Sequence, residues 1–249
     1  MNAEQRALQF QCEGQSLVGI IDVPERPLAR GVLVLSGGPH YRVGSHRHYT
    51  LMARLLAPRG IPVMRFDCRG MGDSDGQAGC GDALAQDIAA AIREFCRQMP
   101  ELKEIVLWGL GDGASAAALY AHTDPRVHGL VLLNPWAGTA DTSAALVPQL
   151  LARLGEMGFW KKVGSRQEVA LDASLPLAQR IVASLACFGG AALLVVGSED
   201  AIGRQFAELV EHHDSACRRV TIAGANHTFA SREWRDEVAE LCANWLVSW

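Results

Sequence analysis

The sequence predicts a single α/β domain over residues 1–249, an eight-stranded, mostly parallel sheet with helices on both faces. Two patterns and the composition predict it. Continuous apolar runs such as Val32 to Leu35, Ile105 to Trp108, Leu130 to Leu133 and Ala191 to Val196 have the form of strands covered on both faces, as parallel strands are. Between them lie stretches with helical apolar spacing, so strand and helix alternate along the chain. The composition, 49% hydrophobic and 20% charged, supplies a substantial core without the bias of a disordered or fibrous chain.

Each element has its own signal. Ala7 to Cys12 and Gln15 to Asp22 alternate with period two about Glu13-Gly14, which predicts an opening antiparallel hairpin. Arg30 to Ser36 is the next strand and runs into Gly37-Gly38-Pro39. Ser45 stands as N-cap of a helix with Met52, Leu55 and Leu56 inward, stopped by Pro58 and Gly60. Ile61 to Phe66 forms a strand that feeds a turn dense in glycine and aspartate, Asp67 to Asp75. Leu84, Ile88, Ala91, Ile92, Phe95 and Met99 then share one helical face, closed by Pro100.

Ile105 to Ser115 reads as strand, sharp glycine corner and helix, the helix running on to His122. Val127 to Asn134 is a further buried strand, ended by Pro135. From about 139 to 186 two helical patterns, Ala144 to Leu154 and Val169 to Leu185, follow with no strand between them, which predicts a small helical lid. Alternation resumes with the strand Ala191 to Gly197, a helix around Phe206 to Val210, and the strand Arg218 to Ile222. Trp234, Val238, Leu241 and Trp245 line one face of a closing helix.

Composition also narrows the function. The net charge is −4 and no segment gathers Lys and Arg into a stripe, so neither nucleic acid nor a membrane surface is implied as a partner. No apolar run reaches the roughly 18 residues of a membrane span, and the polar N-terminus lacks a signal-peptide pattern, so a cytoplasmic location is expected. The seven cysteines are scattered and never spaced C-x-x-C, as suits reduced thiols. His40, His46 and His48 lie near one another without an acidic ligand cluster. No metal and no cofactor are expected.

Ligands of open α/β sheets bind beyond the carboxyl ends of the strands. Three such corners carry chemistry here: Gly109-Leu110-Gly111-Asp112-Gly113, Gly197-Ser198-Glu199-Asp200, and Gly224-Ala225-Asn226-His227. The first has the outer glycines of a G-x-S-x-G elbow, but its middle residue, Gly111, has no side chain to attack with. Turn, acid and histidine follow in the chain order of a catalytic triad, which assigns Asp200 to orient the imidazole and His227 to act as general base and acid. The backbone N–H groups of Asp112 and Gly38 are the expected oxyanion donors. Arg42 and Arg47, near that turn and a helix start, are candidates for binding a substrate carboxylate or phosphate. Asp67, Arg69 and Asp73 are expected to tie down the neighbouring turn, and Ser115 to pack.

As a whole the chain resembles the α/β-hydrolases. Gly37-Gly38-Pro39, Tyr41 to Arg47, Phe66-Asp67, Arg69 to Ser74, and Gly109-Leu110 followed by Asp112 together resemble exosortase A system-associated hydrolase 1, with the Tyr41 to Arg47 segment the most specific part. The resemblance implies a bacterial protein linked to exopolysaccharide and exosortase machinery, and a cysteine nucleophile in a Gly-Leu-Cys-Asp sequence. This chain departs from that pattern with Gly111. Two functions are expected to compete: a hydrolase or acyl transferase acting on an ester, thioester or related acyl bond in a small molecule, and a catalytically silent protein of the same fold that binds a small ligand or a partner.

Overall fold

The computed structural model describes residues 4–37, 41–79, 82–135, 177–212 and 217–249. Its strands are β1 (Glu4–Cys12), β2 (Gln15–Val23), β3 (Arg30–Leu35), β4 (Val63–Phe66), β5 (Glu104–Leu110), β6 (Val127–Leu133), β7 (Ala191–Gly197) and β8 (Cys217–Ile222). The described α-helices are α1 (His48–Leu56), α2 (Asp82–Gln98), α3 (Asp112–Tyr120), α4 (Leu177–Cys187), α5 (Ala201–His212) and α6 (Arg232–Leu246). They build the expected architecture. The eight strands form one sheet in the order β1-β2-β4-β3-β5-β6-β7-β8. β2 is antiparallel to both β1 and β4, and every other pairing is parallel.

The hairpin follows from its turn. Glu13 and Gly14 both have positive φ, 49° and 76°, the backbone that a two-residue type I′ turn requires. In the central strands, successive side chains enter opposite cores. Leu33, Leu35, Leu107, Leu132 and Leu194 join α2, α3, α4 and α5 on one face. Val34, Trp108, Val131, Leu133 and Val195 join α1 and α6 on the other. Two buried faces explain why these strands are uninterrupted apolar runs rather than alternating ones.

One boundary differs from expectation. Ser45 opens a short 3₁₀ turn through Arg47, and α1 starts only at His48, its N-cap being Arg47 in the left-handed region with no side-chain cap. The backbone kinks there because His46 and Arg47 have φ of 52° and 61°. Most of the expected lid, residues 139–176, lies outside the described residues. Its last stretch belongs to the body of the domain: α4 buries Ala178, Ile181, Val182 and Leu185, with Ile181 and Leu185 inside the same core as α3.

Candidate active site

All three corners singled out in the sequence lie at the carboxyl edge of the sheet, after β5, β7 and β8. After β5 the chain turns sharply at Gly111, with φ 57° and ψ −120°, before entering α3. That backbone region is sparsely populated, and a residue with a β-carbon occupies it at a cost of about 1–3 kcal/mol. Gly111 is fixed from both sides, its N–H donating to the Leu133 carbonyl at 2.9 Å and its carbonyl accepting from the Ser115 N–H at 3.1 Å. Ser115 also donates its hydroxyl to that carbonyl at 3.2 Å, and it is buried, as a packing residue would be.

The flanking glycines permit close packing of the elbow. A β-carbon on Gly113 would lie 2.3 Å from the Leu35 carbonyl oxygen, and one on Gly37 would lie 2.3 Å from the Gly113 nitrogen. The turn after β3 therefore rests directly on the first turn of α3. Gly38, one of the two expected oxyanion donors, lies outside the described residues. Asp112, the other, is the first residue of α3, where backbone N–H groups have no intrahelical acceptor.

The acid and histidine loops are stitched together. Ser198 N–H donates to the Ile222 carbonyl at 3.0 Å and Glu199 N–H to the Ala225 carbonyl at 2.9 Å. The Ser198 hydroxyl accepts from the Gly224 N–H at 2.7 Å. This zipper leaves Glu199 outward and turns Asp200 inward, where its Oδ2 lies 2.9 Å from His227 Nδ1. Asp200 is buried, whereas the His227 side chain is 42% exposed. The hydrogen bond to Asp200 raises the His227 pKa above 6.5 against an opposing desolvation, and the negative charges of Asp200 and Asp112 add to the rise.

A β-carbon built on Gly111 falls 3.1 Å from His227 Nε2 and 3.5 Å from Cε1. The free nitrogen of the dyad thus points at the place where an elbow side chain would emerge.

Sequence reasoning missed Asn134. It follows β6 with φ 41° and is fully buried. Its amide donates to the carbonyls of His227 at 2.9 Å and Asn226 at 3.3 Å, while its Oδ1 accepts from Gly197 N–H at 2.8 Å. One side chain therefore joins the ends of β6 and β7 to the histidine loop. A polar residue closing an apolar strand was the available signal, and asparagine is among the few residues that tolerate this backbone.

The expected Arg42–Arg47 anion site needs correction. The Arg42 guanidinium is paired with Asp67 and with Asp73, the latter at 2.6 Å, so its charge is already matched. Asp67 also accepts from the backbone N–H groups of Arg42 at 2.7 Å and Asp73 at 3.1 Å, tying the turn together as expected. Arg69 binds Asp87 instead, at 2.5 Å through Nε. Arg47 is exposed. His48 is buried and faces Trp108 edge-on. Among the described residues, no group of three or more His, Cys, Asp or Glu is placed to hold a metal, and no helix is long and apolar enough to cross a membrane.

A sheet of this order, with an elbow after β5, an acid after β7 and a histidine after β8, defines an α/β-hydrolase. Residues 29–176 match the serine aminopeptidase S33 family, and the chain belongs to it. The matched span includes the elbow and stops before Asp200 and His227. Comparison with curated protein sequences gives no match.

Solved structures share the fold across nearly the whole chain. The esterase Est1E from Butyrivibrio proteoclasticus, with ferulic acid bound, is 19% identical with a TM-score of 0.71, covering 97% of this chain and 98% of that one. An esterase from Pyrococcus furiosus is 19% identical with a TM-score of 0.69, covering 98% and 92%. XC6422 from Xanthomonas campestris, described as an α/β serine hydrolase without a lid, is 21% identical with a TM-score of 0.67, covering 100% and 98%.

Proposed function

We propose that the protein is a hydrolase of ester, thioester or related acyl bonds in small molecules, with Asp200 and His227 as its acid–base pair and Gly111 at the nucleophile position. The observation that carries this is the approach of His227 Nε2 to within 3.1 Å of a β-carbon built on Gly111. A hydroxyl or thiol on that carbon would lie in reach of the imidazole, which would take its proton as it attacked the acyl carbon and return the proton to the leaving group. The oxyanion would be met by the N–H of Asp112 and that of Gly38. The association with bacterial exopolysaccharide and exosortase systems rests on the resemblance of the Tyr41 to Arg47 segment and its companion motifs.

The test is hydrolysis of short p-nitrophenyl esters by the parent protein, Gly111→Ser and Gly111→Cys. Because Est1E was solved with ferulic acid, a feruloyl ester belongs in the same panel. Either variant is expected to gain hydrolysis or a covalent acyl adduct over the parent. If both fold and neither gains, the proposal fails.

A further inference from the structure

Gly111 itself offers no side-chain atom to attack an acyl carbon. We infer that the protein holds a water molecule beside Gly111 and activates it through His227 Nε2, so that water attacks the acyl carbon directly and no acyl-enzyme forms. This inference rests on the acyl-hydrolase reading above and specifies the nucleophile.

The geometry around Gly111 supports it. At the position where a β-carbon would stand, the atoms within 4 Å among the described residues, Gly111 and its two chain neighbours apart, are both from the His227 ring: Nε2 at 3.1 Å and Cε1 at 3.5 Å. An oxygen near that point is within hydrogen-bonding reach of Nε2. Removal of the whole side chain, β-carbon included, frees a space on the scale of one water, whose share of liquid volume is about 30 Å³. An alanine would not do this, because its methyl would occupy the same point.

That distinction matters energetically. In serine-hydrolase triads, removing the nucleophile alone costs about as much as removing the entire triad, because the histidine is left with nothing to deprotonate. Here the imidazole keeps its orientation through Asp200. The raised pKa of His227 also makes the neutral ring a stronger base for water.

The step balances without a further reagent. The water oxygen bonds to the acyl carbon as His227 Nε2 takes one proton, and the carbonyl π pair moves onto oxygen. The carbon–leaving-group bond then breaks as the pair returns, and the leaving alkoxide or thiolate takes the proton from His227. The products are the free acid and the alcohol or thiol.

Steady-state and pre-steady-state hydrolysis of p-nitrophenyl acetate by the parent, His227→Gln, Gly111→Ala and Gly111→Ser tests the inference. The parent is expected to turn over without a burst, and His227→Gln to lose about 100-fold or more of the enzyme-dependent rate. Gly111→Ala, checked for folding by its thermal melt, is expected to lose a similar factor because its methyl displaces the water. His227→Gln alone decides the matter if the alanine variant does not fold. Retention of the parent rate in His227→Gln overturns the inference, as does a stoichiometric burst in the parent. If Gly111→Ser gains activity while the parent shows no rate that depends on His227, only the direct-water inference fails. If Gly111→Ser also stays inactive, the hydrolase reading fails with it.

Discussion

Two histidines of the domain, His227 and His48, have opposite fates. His227 sits at the rim with a carboxylate 2.9 Å from one nitrogen, and its pKa is raised. His48, the first residue of α1, is packed edge-on against Trp108 and near Phe229, with ring centroids 5.4 and 6.4 Å away. Neither of its ring nitrogens has a hydrogen-bond partner among the described residues, and burial pushes its pKa down to about 4, with the charges of Arg235 and His46 adding to the fall. The positive end of α1 disfavours a cation there as well. A buried carboxylate neighbour separates a proton-handling group from a filler of the core.

The largest effect that sharpens this contrast is loss of the carboxylate. In a Gly111→Ser background, Asp200→Asn is expected to lower kcat by about 10⁴-fold, the scale seen when a triad acid becomes an amide. In the parent, an NMR titration should show the His227 midpoint falling from above 6.5 in the same variant. Any hydrolysis that uses His227 as base must rise with pH through that raised midpoint. The sign for stability is the reverse: the charged His227–Asp200 pair contributes most below pH 6.5 and its contribution is lost as pH climbs through the raised value.

His48 is expected to behave in the opposite sense. Its folded-state value lies below 6.5, so the unfolded chain binds the extra proton and stability falls as pH drops from 6.5 towards about 4. The displacement corresponds to about 3 kcal/mol. Denaturant melts of His48→Leu should show a correspondingly smaller loss on acidification than the parent, and an unchanged loss would place the acid sensitivity elsewhere.

A smaller effect is expected at Asn134. Asn134→Ala removes the bonds to Gly197, Asn226 and His227 and should cost about 2 kcal/mol, read by chemical denaturation. If those bonds position the histidine, the raised His227 midpoint should also move down. At the bottom of the range, Asp73→Ala leaves Arg42 paired with buried Asp67, so a melting shift of about 2 °C or less is expected.

What the sequence revealed and concealed follows from range. The hairpin turn at Glu13-Gly14, the buried apolar strands and the glycine corner at Gly111 are local patterns, and the structure places them as read. The order of elbow, acid and histidine survives because β5, β7 and β8 run parallel and end on the same edge of one sheet, whatever chain lies between them. Side-chain partnerships carry no such signature. Arg42 finds Asp67 across 25 positions, and Asn134 reaches the carbonyl of His227 across 93. The inward turn of His48 and the packing of α4 into the body likewise depend on which face meets the core, which periodicity alone leaves open.

The central claim is that His227 addresses the side of Gly111 from which a nucleophile would project. Intact-mass analysis of Gly111→Ser treated with a fluorophosphonate, beside the same variant carrying His227→Gln, tests it directly. The account predicts a single adduct mapping to position 111 that forms quickly in the first protein and slowly or not at all in the second. A folded Gly111→Ser protein that takes up no adduct, or takes it up equally well without the histidine, would contradict it.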